Sequence, residues 1–114
     1  MLFRSVAGSL DTIMAGLACG EPSLLAWQEL ERSASAFMAI PDAAAIDSMR
    51  FLAALGIVVG ESGVAGLAAL RLAMADPDAA VALGLSQESR VLVFGTEGAT
   101  DTMLYESLIH GVPG

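Results

Sequence analysis

Gly60-Glu61-Ser62-Gly63-Val64 is the stretch of this sequence whose residue types and spacing come nearest to a reactive site. It almost spells the nucleophile elbow G-x-S-x-G, in which a serine is lifted on a sharp strand-to-helix turn. Ser62, Asp101 and His110 also follow one another in the hydrolase order of serine, acid and histidine. The elbow breaks at its last position, Val64, and His110 ends a helical stretch instead of lying in a loop after a strand. Acyl transfer is therefore disfavoured. Gly60, Gly63 and Gly66 are spaced like a nucleotide loop, but the dinucleotide fingerprint needs a glycine where Ser62 stands. A phosphate loop of the Walker type needs a lysine, and all five positive residues are arginine. One histidine and one cysteine, with no pair at ligand spacing, make a poor metal set. His110 is most simply a helix-end residue, favoured there by the helix dipole. Glu61 remains. It is the only charge between Phe51 and Leu70, and a carboxylate in so apolar a run is either exposed at an edge or held for a purpose.

The flanking residues predict the elements that present it. Ile57 to Gly60 reads as a short β-branched strand, and a helix is expected from about Gly63 to Ala75, stopped by Asp76-Pro77. Upstream, Thr12 to Pro22 (TIMAGLACGEP) is a small-residue loop in which Gly16 and Gly20 permit close backbone approach, to a packed neighbour or to a ligand. Ser23 can cap a helix with Leu24, Trp27, Leu30 and Ala34 on one face. Phe37 to Ile40 reads as a strand, and Pro41-Asp42 opens a helix carrying Ile46, Met49 and Ala53 and ending at Gly56. Asp78 to Leu85 is a short helical or irregular excursion before the polar turn Ser86 to Arg90. Val91 to Phe94 is uniformly apolar and is expected to be a strand buried on both faces. A second glycine turn, Gly95 to Thr100, leads to a last helix capped by Asp101 and running to about His110. Alternating strands and helices predict an α/β fold: a short parallel sheet between flanking helices, three layers in all. The turns after the second and third strands would then open on one edge of the sheet.

Composition sets the limits. The chain has 114 residues, 55% of them hydrophobic and only 16% charged, which is too apolar for a free-standing domain of that size. Its apolar surface is expected to be covered by something absent from the chain. A membrane is a poor cover, because the one near-span, Phe51 to Leu70, has Glu61 at its centre. A net charge of -8 argues against nucleic acid, which calls for a basic face. A single cysteine, Cys19, excludes an internal disulfide and fits a reducing cytoplasm. Residues 1–10 are uninformative and lack a signal-peptide pattern; residues 11–114 read as one domain or part of one.

TIMAGLACGEP, IVVGESGVAGLAAL and VLVFGTEGATD together resemble the C-terminal third of the diaminopropionate ammonia-lyases, over about Asp11 to Gly111. These are pyridoxal-phosphate enzymes of fold type II, the tryptophan-synthase-β-like group; related threonine and serine dehydratases resemble the same segments more loosely. The resemblance implies two α/β domains with the cofactor between them, a homodimer, a small amino-acid substrate, and α,β-elimination of 2,3-diaminopropionate to pyruvate and ammonia. By position, Gly16 resembles the glycine of the loop against the cofactor ring, and Glu61 the glutamate at the end of the strand facing it. Gly95 falls where the family places Ser or Thr against the pyridine nitrogen. That hydroxyl is missing, and Thr96 beside it is the candidate replacement. The family's Schiff-base lysine and phosphate loop lie upstream of this region, so the chain is expected to form one wall of a cofactor site and to be inactive alone. An alternative is a non-catalytic remnant that serves as a binding or assembly module.

Overall fold

A computed structural model of the chain describes residues 9–111. The uninformative opening segment therefore lies largely outside the described residues, as does the end of the Gly111-to-Gly114 tail. Among the described residues the regular structure is five α-helices and a 3-10 turn: the turn Ala15–Leu17, α1 Leu24–Ser33, α2 Asp42–Ala54, α3 Ala65–Ala75, α4 Pro77–Ala82 and α5 Thr102–His110.

The helices begin and end where the local chemistry requires. Ser23 Oγ accepts the Ala26 amide at 3.3 Å, and Asp101 Oδ1 accepts the Leu104 amide at 2.9 Å, so α1 and α5 each have a capping side chain. Asp76 ends α3, its amide donating to the Ala73 carbonyl, and caps α4 with its carboxylate, which accepts from the Asp78 and Ala79 amides. Gly56 follows α2 at φ +75°, a conformation glycine adopts without steric cost. Arg50 reaches across from α2 to the end of α5, where Nε donates to the Leu108 carbonyl at 2.9 Å and Nη2 to that of Gly111 at 2.8 Å. Carbonyls left open at a helix end thus find a charged donor.

The sheet is where expectation and structure part. Among the described residues none of Phe37 to Ile40, Ile57 to Gly60 or Val91 to Phe94 is a strand; all three run as irregular or extended chain. The expected three-layer parallel sheet is thereby corrected to a helical assembly with extended connections. Nor is the third segment buried: Val91 is 48% exposed, Leu92 78%, Val93 41% and Phe94 74%. The physical reason is that a strand exists only through its neighbour's backbone groups. The second and third segments do come together, since Val59 and Val93 line one groove, yet they form no ladder.

What core there is gathers Met14, Ala45, Met49, Val64 and Tyr105, drawn from the first loop, α2, the glycine turn and α5. Helix α2 is central and packs against both α3 and α5. Helix α1 buries no residue; its Trp27 lies beside Phe37 with ring centroids 6.2 Å apart. The surface is large for the mass: 8195 Å² is accessible, against about 5,800 Å² for a compact 11.6 kDa protein. The radius of gyration agrees, at 15.2 Å against about 13 Å for a compact domain of this length. The apolar excess read from composition is therefore visible as uncovered surface.

Candidate functional site

Three loops that are far apart in sequence meet at one place. The first, Thr12 to Pro22, is anchored by Asp42 in the first turn of α2: Thr12 Oγ1 donates to one carboxylate oxygen, and the Ile13 amide donates to the other at 3.1 Å. Met14 is then driven into the core, and Gly16 is carried outward on the 3-10 turn. Its amide donates to Ser62 Oγ at 2.9 Å, which ties the first loop to the glycine turn.

The glycine turn is in turn tied to the second one. The Gly60 amide donates to the Glu97 carbonyl at 2.9 Å, and the Ser62 amide donates to Glu97 Oε1 at 3.1 Å. Backbone approach here is close enough to demand glycine. A Cβ at Gly63 would lie 2.8 Å from the Glu97 carbonyl oxygen and 3.0 Å from its amide nitrogen; one at Gly60 would collide with the Gly98 carbonyl. Gly63→Ala is thus expected to destabilise by about 1–3 kcal/mol, because backbone cannot give way as a side chain does. Gly66→Ala tests the assignment from the other side. Its Cβ would meet only Val93 side-chain atoms at 3.9 Å, inside helix α3, so the gain in helix propensity should stabilise by about 0.5–1 kcal/mol. Chemical denaturation of the two variants, with opposite signs of shift, is the measurement.

The residues singled out in the sequence are brought together as follows. Gly16 and Glu61 flank Ser62, Glu61 half-buried and with no hydrogen bond accepted by its carboxylate among the described residues. Gly95 and Thr96 are exposed, and Gly95 lies against Val59, to whose methyl carbons a Cβ would come within 3.4 Å. The two glycine turns therefore do open side by side, although no sheet edge carries them. Ser62, weighed only as a nucleophile, acts here as a connector. Asp101 is taken up in capping α5 and His110 pairs with Glu106 at 3.1 Å, so the serine, acid and histidine form no triad. Glu97 was missed. Its signal was available, since it is the only charge between Arg90 and Asp101, just as Glu61 is the only one in its own run. Beside the turns lies a groove of about 430 Å³ between Phe51, Ile57, Val59, Leu67 and Val93, lined by apolar side chains. No helix of the described residues is long and apolar enough to cross a membrane.

A convergence of glycine-rich loops at the ends of apolar segments is a setting in which backbone can approach a flat, anionic cofactor closely. The residues present fit the outer wall of such a site, and the chain's lack of lysine denies it a side-chain amine for covalent attachment.

Comparison with known proteins gives this arrangement its context. A family model described as pyridoxal-phosphate dependent enzyme matches residues 2–97. Diaminopropionate ammonia-lyase of Escherichia coli is 39% identical over 113 residues, covering 92% of this chain, and that of Salmonella typhimurium is 36% identical, covering 91%. The chain spans 28% of the length of each of these relatives. The crystal structure of the Escherichia coli enzyme in complex with an aminoacrylate-PLP azomethine reaction intermediate superimposes on 87% of this chain, with a TM-score of 0.77 and 38% identity, and is matched over 28% of its own length. The chain belongs to the pyridoxal-phosphate dependent enzyme family.

Proposed function

We propose that this chain is the C-terminal part of a diaminopropionate ammonia-lyase-like enzyme and forms one wall of its pyridoxal-phosphate site. The observation that carries the reading is the meeting of the Gly16 loop with the turns at Gly60 and Gly95, in a chain of which 92% aligns with 28% of that enzyme. Pyridoxal phosphate, when bound, supplies an electron sink for elimination at the α and β carbons of an amino acid. Gly16 would let backbone lie against the cofactor. Glu61, whose carboxylate accepts no hydrogen bond among the described residues, would face it with that carboxylate. Gly95 and Thr96 would lie toward the ring nitrogen, with the Thr96 hydroxyl as the available polar group. The substrate would be 2,3-diaminopropionate, the products pyruvate and ammonia, and the assembled enzyme a homodimer. The extended segments at residues 57–60 and 91–94 would become strands once the remainder of the fold supplies backbone partners.

Two experiments test this. Co-expression with the upstream portion of the Escherichia coli relative should give a soluble complex that releases pyruvate from 2,3-diaminopropionate; a soluble complex without that activity counts against the reading. The chain alone, mixed with pyridoxal phosphate, reduced with borohydride and weighed by mass spectrometry, should carry no stoichiometric adduct on an internal residue. Lysine provides the only suitable side-chain amine, and there is none.

A further inference from the structure

Two residues of the site have no part in the reading above, Ser62 and Glu97. Met14 and Val64 pack the first loop and the glycine turn onto one core, but Gly16, Gly95 and Thr96 are themselves exposed, so packing does not fix these three positions. Hydrogen bonds complete the placement, and they run through these two residues. Ser62 Oγ accepts the Gly16 amide at 2.9 Å, and the Ser62 amide donates to Glu97 Oε1 at 3.1 Å. The Glu97 carbonyl adds its bond from the Gly60 amide at 2.9 Å. One hydroxyl thus joins the first loop to the glycine turn, and one glutamate joins that turn to the next. The approach is also tight: a Cβ at Gly16 would lie 3.0 Å from Ser62 Oγ and 3.2 Å from Ser62 Cβ.

We propose that Glu97 and Ser62 are positioning residues, a two-step relay that fixes the Gly16 loop against the turns bearing Glu61, Gly95 and Thr96. Its purpose, holding a cofactor between these loops, rests on the pyridoxal-phosphate reading; its geometry does not. Contacts from separate loops bind one ligand well only if the loops are held in place beforehand, since otherwise binding must supply the ordering. Glu97 serves the relay as a hydrogen-bond acceptor. A glutamine amide oxygen can accept the same bond, so the relay should survive loss of the charge and fail on loss of the oxygen.

The test uses the full chain in complex with the upstream portion of the Escherichia coli relative. In the complex without cofactor, amide hydrogen exchange should show the Gly16 amide exchanging about fivefold to tenfold faster in Ser62→Ala, and the Ser62 amide likewise in Glu97→Ala, while Glu97→Gln stays near wild type. A Gly16 amide that is unprotected in wild type, or unaffected by Ser62→Ala, overturns the relay. In the complex, titration with pyridoxal phosphate followed by absorbance should show affinity about tenfold weaker for Ser62→Ala and Glu97→Ala and recovered in Glu97→Gln. Equal uptake by all variants overturns the positioning role. A wild-type complex that takes up no cofactor instead overturns the functional reading, and the exchange rates still decide the relay.

Discussion

Light scattering of the isolated chain is expected to report associated species, and the chain should bind a dye that senses exposed apolar surface. The segment Val91 to Phe94 is the main cause, with Ile57, Val58, Phe51 and Leu55 adding to it, since all of these are large, apolar and exposed. Among the described residues the backbone of Val91 to Phe94 makes no hydrogen bond either, and an extended segment with free amides and carbonyls is a template for another chain. Two terms oppose each other. A net charge of -8 repels copies, but exposed charge pairs are worth about 1 kcal/mol or less each in salt. Each 100 Å² of apolar surface removed from water contributes about 2.5 kcal/mol, an upper figure. Burying the Leu92 and Phe94 side chains alone would contribute about 3–6 kcal/mol. Association wins. Leu92→Asp with Phe94→Asp should therefore shift the chain toward monomer and also prevent its assembly with an upstream partner. A compact wild-type monomer that leaves the dye dark would show that these residues cover their own core.

The second large effect is expected at Glu61. In the assembled enzyme, Glu61→Gln should lower turnover about tenfold or more while moving the melting temperature by no more than about 2 °C. The structure separates the two outcomes. The Glu61 carboxylate makes no hydrogen bond among the described residues and is half-buried, so an amide of the same shape takes nothing from the fold. Its neighbour Ser62 and the opposing Glu97 hold the turn together without it. What changes is a full negative charge beside the proposed cofactor. An interaction of that kind worth about 1.4 kcal/mol amounts to tenfold in rate when it is felt only in the transition state. A large loss of stability with turnover intact would make Glu61 structural.

Much of this architecture was legible from local rules. Ser23, Asp76 and Asp101 each accept the amide of a following residue in the first turn of their helices, and Gly56 closes α2, because capping depends on a handful of neighbouring residues. The excess of apolar residues over polar ones also carried through, as surface left uncovered. The strands did not. Apolar runs such as Val91 to Phe94 record what a segment would bury, whereas a strand also requires a partner's backbone alongside it.

The candidate site divides in the same way. Residue types alone marked Glu61, the flanking glycines and the absence of lysine, because an isolated charge, a missing Cβ and a missing amine are properties of single positions. That Gly16 should reach Ser62, and Ser62 reach Glu97, lies in contacts 46 and 35 residues apart in sequence. No local propensity encodes such contacts; they follow from Asp42 anchoring the first loop and from Met14, Val64 and Tyr105 sharing one core behind the turns. Sequence by itself determined which groups this protein has available. The tertiary structure decided that Ser62 is a connector and Glu97 a partner, because only packing of distant segments brings a donor within 3.5 Å of its acceptor.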